Sequence, residues 1–570
     1  MTSSSHKNRI TMQENLFWTE RTTLNRVLDP LGLASLRYSD QYFLNGITTQ
    51  TQRLRHYTFL VWAFNEMDRK SPLPEIKILD LEKILALASA QHHENGGEPK
   101  GIWSITGAKD FLLKNSQIDV DKFTHEKDFG KNNKIGYGKY YYQGPLASLN
   151  IVQRDQQLII SPAGKEISTE FSKSIETIEG KIWSKTLTKS DLQNMKALCC
   201  CSIIPKEQDL WKKVFFGLTT GNRDSLEIDH NKTQIVLTDP DELPFEKYQN
   251  LQEDEIIENL DSATEYGGID DKTSVYMRQG TLFLLLEIIK NSKPKYEKNT
   301  FLQTIRDYIY YSPINFNKLE PYRKYWEVYV HNIYYTIIFE KVLSIIIDIC
   351  KDNPLGISKD KLVSKINSKK FLYPIRNFGF KISDSDNVQT VYEQLENILG
   401  SKITKLHSPI NERELLEKIR ITNDKIEVLG LIFVLFLLCK YRYSVFDKKK
   451  LRVLPIKRDK FQDIFPETIY GKFSKTLLTE FPEHLLKFMI KRHRYISMKK
   501  LRQGTKAWLF TIDNDVLYFN QKEWKLKPIR DYKWTYVLEI MNDLGLIKKD
   551  SNKKIWEITK EGNDWLKKIQ

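Results

Sequence analysis

A short pattern that occurs twice places the strongest constraint on the fold of this 570-residue chain. Near residue 150, an apolar Leu149-Asn150-Ile151-Val152 precedes a polar turn, an apolar run at 158–160 and Ser161. The same order returns in Gly545-Leu546-Ile547 and the strand-like residues 555–559. A helix that leads through a short apolar unit into a polar turn and a second strand is typical of a winged helix. We therefore predict a mainly α-helical, multi-domain protein with two or more winged-helix units and short β-wings, near 139–171 and 534–570.

The length of the chain requires several hydrophobic cores, because single cores stop growing well below 570 residues. A third segment, 342–366, contains a helix, Gly356 and a helix capped by Ser358, but no clear wing. Composition and pattern divide the chain into a disordered start at 1–15, an N-terminal helical domain at 16–177, a connecting segment at 178–238, a linker at 239–271, a central helical domain at 272–439, a basic region at 440–530 and a C-terminal winged-helix-like unit at 531–570.

Almost all of the net charge of +15 lies between residues 440 and 506, here called the basic segment. It holds 19 Lys/Arg against six Asp/Glu, and this difference of +13 leaves +2 for all other residues. Such localised charge, interleaved with aromatic side chains, is expected of a surface that binds phosphate. A solvated Lys-rich face is the alternative, but a compositional bias would spread along the whole chain. The predicted nucleic-acid-binding residues are Lys448, Lys449, Lys450, Arg452, Lys457, Arg458, Lys491, Arg492, Arg494, Lys499, Lys500 and Arg502.

The segment 239–271 has the opposite composition, with twelve acidic residues and one basic residue. This pattern predicts an exposed linker. A second hypothesis is that the acidic segment occupies the basic segment when no nucleic acid is bound.

The cysteines and histidines predict neither a metal site nor a cofactor. Three of the five cysteines are consecutive, Cys199-Cys200-Cys201, and no Cys-x-x-Cys pair is present. His92-His93 lacks the spacing of a zinc peptidase and precedes Gly96-Gly97, which predicts a loop. Cys350 and Cys439 lie in apolar helical runs and are predicted core residues. No disulfide framework is expected, and a reducing compartment, the cytoplasm, follows.

Membrane insertion is not expected. The most apolar run, residues 428–439, has 12 residues and is too short to span a bilayer, so it predicts a buried helix. Residues 1–12 are polar and lack the apolar region of a secretory signal. A second helix, at 325–349, is predicted to bury Trp326, Tyr329, Ile333, Ile337 and Val342.

Motifs for catalysis are weak. No phosphate-binding loop of the Gly-x-x-x-x-Gly-Lys-Ser/Thr type occurs, so ATP hydrolysis is not expected. A metal-dependent nuclease needs an Asp on one strand and Glu-x-Lys on the next. Asp513 or Asp515 with Glu523 and Lys525 has this order, and Asp80 with 98–100 has it more weakly. Because Lys is common throughout the chain, an exposed hairpin with scattered charges is the favoured interpretation of the first pair.

The opening segment 45–62 combines a turn with basic residues. Asn45-Gly46 predicts the turn, and Thr48 or Thr49 is a candidate N-cap for a helix that buries Leu54, Tyr57, Phe59, Leu60 and Trp62. Arg53 and Arg55 fall near the helix start, where an anion is favoured, so Thr48, Thr49, Arg53 and Arg55 form a possible phosphate contact. The alternative is a structural salt bridge to Asp29, Asp40 or Glu66.

These residues also carry a resemblance. Leu31-Gly32-Leu33, followed by Asn45-Gly46-Ile47-Thr48-Thr49-Gln50-Thr51-Gln52-Arg53-Leu54-Arg55-His56-Tyr57 and Trp62, resembles a motif of uncharacterised proteins from prokaryotic anti-phage defence islands. Asn45 stands where that motif has Pro, and His56 where it has Tyr. The resemblance implies a DNA-directed defence system in which helicase or nuclease subunits are partners. The resulting prediction is a DNA-binding, non-catalytic subunit. A metal-dependent nuclease effector and a protein–protein scaffold are the alternatives.

Overall fold

The computed structural model describes residues 31, 43–48, 53–69, 77–96, 105–123, 142–154, 158–221, 225–237, 271–295, 298–311, 315–365, 368–400, 412–445, 470–502, 508–513, 515–519 and 534–569. Helices dominate these residues and the strands are short, which confirms the predicted mainly α-helical class. The acidic segment lies outside the described residues except for Asp271.

The helices are α1 (Leu54–Arg69), α2 (Ile78–His92), α3 (Ile105–Lys114), α4 (Gln143–Ser148), α5 (Pro162–Ile175), α6 (Glu179–Ile182), α7 (Lys189–Asn194), α8 (Pro205–Phe215), α9 (Asp271–Ser292), α10 (Lys298–Tyr311), α11 (Glu320–Lys351), α12 (Lys359–Ser364), α13 (Ser368–Asn377), α14 (Val388–Gly400), α15 (Glu412–Ile421), α16 (Lys425–Val445), α17 (Tyr470–Phe473), α18 (Phe481–Arg502), α19 (Trp534–Asp543) and α20 (Lys560–Lys567). The strands are β1 (Gln117–Asp119), β2 (Val152–Arg154), β3 (Leu158–Ile160), β4 (Thr186–Thr188), β5 (Thr219–Thr220), β6 (Glu227–Ile228), β7 (Ile357–Ser358), β8 (Phe510–Asp513), β9 (Val516–Phe519), β10 (Ile547–Asp550) and β11 (Ile555–Ile558).

Two compact units are formed from segments that are distant in sequence, whereas the sequence analysis divided the chain into consecutive segments. One, here called the hairpin unit, combines Tyr38–Tyr329, Asp447–Asp459 and Asp531–Gln570. The other, here called the basic-helix unit, combines Met1–Arg37, Val330–Phe446 and Lys460–Arg530.

Three helix–hairpin elements in the hairpin unit are built alike. Helices α4, α8 and α19 each lead into a two-stranded antiparallel hairpin, respectively β2–β3, β5–β6 and β10–β11. A residue with positive φ links helix and strand in every case: Asn150 at 57°, Gly217 at 62° and Gly545 at 74°. Glycine and asparagine tolerate this left-handed conformation better than other residues, which explains their presence there. The second of these elements was not predicted from the sequence.

The same hydrogen bond closes each hairpin at its base. The backbone N–H that follows the second strand donates to the carbonyl that precedes the first strand: Ser161 to Ile151, Asp229 to Leu218 and Thr559 to Leu546, each at 3.0 Å. Ser161 and Thr559 then cap α5 and α20 by accepting from the N–H of Gly164 and Gly562, at 3.2 and 3.0 Å. A Cβ on Gly562 would lie 2.1 Å from the Leu546 carbonyl oxygen, so only glycine fits. The two copies of the sequence pattern therefore have the same physical origin, because both hairpins are closed by the same hydrogen bond and both are followed by a capped helix.

The core of the hairpin unit surrounds α1. All five residues predicted to face inward from this helix are at most 3% exposed: Leu54, Tyr57, Phe59, Leu60 and Trp62. Tyr57 packs edge to face against Trp211 at 5.7 Å, and Trp62 packs against Phe171 at 5.4 Å. Aromatic pairs of this kind bury large apolar areas and fix the position of α1 against α5 and α8.

Other core predictions are confirmed with one exception. Helix α16 buries the whole run 428–439, and Cys350 and Cys439 are buried. In α11, Trp326, Tyr329, Ile333 and Val342 are buried, whereas Ile337 is half-exposed. Among the described residues, no helix combines the length and the apolarity needed to cross a membrane.

Candidate nucleic-acid interface

Helix α18 carries most of the described part of the basic segment. Its 22 residues include seven Lys/Arg and one acid, Glu483, a local difference of +6. Pro482 lies in the first turn, where its missing N–H would have no helical partner, and Glu483 lies where the helix dipole favours an acid. The helix therefore begins with favourable residues and concentrates positive charge along the rest of its length.

One face of α18 is open to solvent. His484, Lys491, Arg494, Tyr495 and Met498 are exposed and recur at the three- and four-residue spacing that aligns side chains on a helix. Tyr495 is 65% exposed and Met498 is 43% exposed, which is unusual for large side chains beside a core. Within the described residues, neither Lys491 nor Arg494 makes an ion pair. Two cations and a tyrosine are thus presented together, and no acidic residue in the described part of the chain pairs with either cation.

The opposite face of α18 is packed into the basic-helix unit. Leu486, Met489, Ile490 and Ile496 are at most 4% exposed. His493 Nε2 accepts a hydrogen bond of 3.1 Å from the Leu509 N–H, immediately before β8. This bond fixes the helix relative to the strands that follow it.

A three-stranded sheet lies next in the chain. Strands β8 and β9 form an antiparallel hairpin, and β7, which follows α11, pairs antiparallel with β9, so the order is β7-β9-β8. Ser358 of β7 accepts a hydrogen bond of 3.2 Å from the Lys361 N–H and so caps α12. No clear wing was found in the sequence of the segment 342–366. In the structure, Ile357 of this segment pairs with Leu517 of the hairpin β8–β9, 160 residues further along the chain.

The predicted nucleic-acid-binding residues have different outcomes. Lys491 and Arg494 are exposed as expected. Arg492 is half-buried, and its Nε donates to the Leu31 carbonyl oxygen at 2.9 Å, so it has a structural role. The backbone of Lys499, Lys500 and Arg502 continues α18. The others lie outside the described residues: Lys448, Lys449, Lys450, Arg452, Lys457 and Arg458.

The nuclease candidates are not assembled by the described strands. Asp513 is exposed at the end of β8, and the chain turns at once into β9, Val516–Phe519, which contains no acid. Glu523 and Lys525 come after β9 and lie outside the described residues. The predicted order of Asp on one strand and Glu-x-Lys on its partner is not seen in the described part of this hairpin and remains a prediction. Asp80 of the weaker candidate lies in helix α2, not in a strand.

The N-terminal arginines are enclosed by protein. Arg53 binds both carboxylate oxygens of Asp543, at 2.9 and 2.8 Å, and Arg55 pairs with Glu207 in a fully buried contact. Arg55 also donates to the Ala197 carbonyl oxygen at 3.1 Å. Both guanidinium groups thus form structural ion pairs, as the alternative to a phosphate contact predicted, but the described partners are Asp543 and Glu207 and not Glu66. Asp29 and Asp40 lie outside the described residues.

The predicted capping of α1 is also corrected. The helix begins at Leu54, so Thr48 precedes it by six residues, and Thr49 lies outside the described residues. The Leu54 N–H instead donates to Asp543 Oδ2 at 2.9 Å. Gly46 has φ of 83°, and its carbonyl oxygen accepts from the Tyr57 hydroxyl at 2.8 Å. Gly46, Leu54 and Tyr57 of this segment thus make structural contacts within the fold.

A separate cluster of metal-ligating side chains lies in the hairpin unit. His92, His93, Cys199 and Cys201 each offer one ligand atom, and these atoms all lie within 4.8 Å of one another. His93 Nε2 is 3.3 Å from Cys199 Sγ and 3.6 Å from Cys201 Sγ, and His92 Nδ1 is 3.5 Å from Cys201 Sγ. A hydrogen bond with Cys200 and burial raise the pKa of Cys199 to about 11. Burial and the neighbouring His93 lower the pKa of His92.

This cluster was not predicted from the sequence, for two reasons. The three cysteines were treated as adjacent residues, although Cys199 and Cys201 belong to the cluster and buried Cys200 does not. The histidines were predicted on a loop, whereas His92 is the last residue of α2 and His93 caps it. A paired His-His and a Cys-x-Cys in one chain were the available signal. The separation of more than 100 residues hid their proximity.

Comparisons with known proteins add no assignment: no family model, no curated protein and no solved structure matches this chain.

Proposed function

We propose that this protein binds double-stranded DNA through the exposed face of α18. The observation that carries the proposal is the alignment of Lys491, Arg494 and Tyr495 on one solvent-facing stripe of a helix with a local charge difference of +6. Cationic side chains bind phosphate and release its counterions, and tyrosine can contact phosphate, sugar or an unstacked base. The major groove of B-DNA admits a helix, whereas the deep, narrow groove of A-form RNA does not.

The surrounding elements support a winged-helix interpretation of this site. The chain order is α11, β7, α12, then α18, β8 and β9, with helices α13 to α17 between α12 and α18. In a helix-turn-helix the second helix enters the groove, and a following hairpin can contact the adjacent backbone. Helix α18 holds the position of the second helix, and β8–β9 holds the position of the wing. We extend the same interpretation to the helix–hairpin elements at 142–175 and 534–567.

The setting that we propose is a prokaryotic anti-phage defence system in which this chain is a non-catalytic subunit beside a helicase or nuclease. Its support is the resemblance of residues 31–62 to defence-island proteins. Loss of phage protection on deletion of the gene, with restoration by the intact gene but not by a variant defective in DNA binding, is the expected result. Protection that survives the DNA-binding variant would contradict this role.

The binding test compares two double variants with equal charge change. Lys491→Glu/Arg494→Glu alters the proposed face, whereas Lys114→Glu/Lys381→Glu alters two exposed lysines elsewhere. Fluorescence anisotropy with a labelled duplex at moderate salt should show at least a tenfold loss of affinity for the first variant and a much smaller loss for the second. Equal losses of affinity in the two variants would show that only the net charge of the protein matters, which would contradict the proposed binding face. Stronger binding to double-stranded RNA than to duplex DNA would contradict the proposal that the ligand is DNA.

A further inference from the structure

We propose that His92, His93, Cys199 and Cys201 bind one zinc ion in a closed tetrahedral site. A zinc ion lies about 2.3 Å from sulfur and about 2.0 Å from nitrogen, so tetrahedral angles separate a sulfur from a nitrogen by about 3.5 Å. Three of the four sulfur–nitrogen pairs here are 3.3, 3.5 and 3.6 Å apart. These three pairs are thus already spaced as a bound ion would require, and all four ligand atoms lie within 4.8 Å of one another.

The chemistry of the four ligands selects the metal. Two thiolates and two imidazoles suit zinc, because hard cations such as Mg²⁺ and Ca²⁺ prefer carboxylate and carbonyl oxygen. Four protein ligands fill the tetrahedral sphere and leave no position for a substrate or a reactive water. The site is therefore structural rather than catalytic.

The groups around the cluster hold the ligands in place. His93 Nδ1 lies 3.4 Å from the Gly96 carbonyl oxygen, and donation to that oxygen leaves Nε2 available to the metal. Ser202 Oγ donates to the Lys196 carbonyl oxygen at 2.8 Å, which closes the loop that carries both cysteines. The Cys199 N–H donates to the same carbonyl oxygen at 3.0 Å.

The position of the cluster indicates what the zinc would stabilise. It joins the end of α2 to the loop between α7 and α8. The same loop accepts hydrogen bonds from Arg53 at the Cys200 carbonyl oxygen, 3.4 Å away, and from Arg55 at the Ala197 carbonyl oxygen. Zinc would thus fix the loop on one side and the arginines of the N-terminal motif would fix it on the other. This inference does not depend on DNA binding, since α18 belongs to the other unit.

The test measures metal content in the full chain purified under reducing conditions without chelator. Mass spectrometry of the metals should find about one zinc per chain. Cobalt replacement should give the intense visible bands of a tetrahedral site and a sulfur-to-cobalt charge-transfer band. Cys201→Ser and His93→Gln should lose most of the zinc. Cys200→Ala and His230→Gln change the same residue types outside the ligand set and should retain it.

Several results would overturn the proposal. A wild-type chain with neither zinc nor a cobalt spectrum would do so, as would full zinc content in both ligand variants. Zinc that is lost from Cys200→Ala and kept by Cys201→Ser would refute this ligand set. A further experiment uses only the wild-type chain and so does not depend on whether the variants fold. A zinc-selective chelator should lower its Tm, while a calcium-selective chelator should not. An unchanged Tm with the zinc removed would refute the structural role.

Discussion

Arg53 and Asp543 lie 490 residues apart in sequence and form a two-point ion pair, with Arg53 Nε 2.9 Å from Oδ2 and Nη2 2.8 Å from Oδ1. Asp543 Oδ2 also accepts from the Leu54 N–H, the first of α1. Burial raises the pKa of Asp543, and the positive charge of Arg53 offsets part of that effect. One carboxylate thus neutralises an arginine, caps α1 and connects the N-terminal motif to the C-terminal helix–hairpin element.

Removal of this carboxylate should be costly. Asp543→Ala leaves the Arg53 charge buried without its bidentate partner and uncaps α1, so we expect a loss of about 3–5 kcal/mol in unfolding free energy. Asp564→Ala removes an exposed partner of Lys567 and should cost at most about 1 kcal/mol. Chemical denaturation followed by circular dichroism measures both. A loss for Asp543→Ala no greater than that of the control would contradict the interpretation.

Local patterns in the sequence predicted local structure well. The inward face of α1, the burial of 428–439 and two helix–hairpin elements follow from spacing and turn residues within about 30 positions. The partners Asp543 and Glu207 could not be predicted, because periodicity contains no information on which distant segments meet. The pairing of β7 with β9 was missed for the same reason, since Ile357 and its partner Leu517 are 160 residues apart.

Acid should destabilise the hairpin unit through His56. Burial, with a contribution from the Arg53 charge, lowers the pKa of His56 from 6.5 to about 3. Because the folded pKa is depressed, the neutral ring stabilises the fold above pH 6.5, and this stability is lost as the pH falls toward 3.

Between pH 7 and pH 5 the loss from this one group should be about 2 kcal/mol. Unfolding free energies at the two pH values, compared between the wild type and His56→Gln, isolate the contribution. The variant should show a pH dependence that is smaller by that amount. An identical pH dependence in both proteins would refute the role of His56.

Gly280 sits in α9, where helix propensity and packing oppose each other. Alanine favours a helix by about 1 kcal/mol over glycine. A Cβ at this position, however, would lie 2.1 Å from the ring of Tyr322. Overpacking of this kind costs about 1–3 kcal/mol, which should exceed the gain in helix propensity. Gly280→Ala should therefore lower the Tm. Gly180 of α6 has no atom within 4 Å of such a Cβ, so Gly180→Ala should leave the Tm unchanged or raise it. The reverse order of the two variants would contradict the packing argument.

The salt dependence of DNA binding should identify phosphate contacts individually. Each neutralised phosphate contributes about 0.9 to the slope of log affinity against log salt. Lys491→Ala should therefore reduce the slope by about 1, whereas Lys381→Ala, which removes an exposed lysine outside α18, should not change it. Anisotropy titrations over a range of salt concentrations measure both slopes. A wild-type slope in Lys491→Ala would show that this lysine makes no phosphate contact.

Tyr495 should contribute to affinity without contributing to the salt dependence. Its ring carries no charge, so its removal releases no counterion, yet it is 65% exposed between Arg494 and Met498 on the proposed face. Tyr495→Ala should weaken duplex binding by about 1 kcal/mol, roughly fivefold, with the slope unchanged. Tyr373 of α13 is 58% exposed and lies outside the proposed face, so Tyr373→Ala is the matched control and should bind as the wild type does. If the two alanine variants weaken binding equally, Tyr495 is a surface tyrosine with no specific contact to DNA.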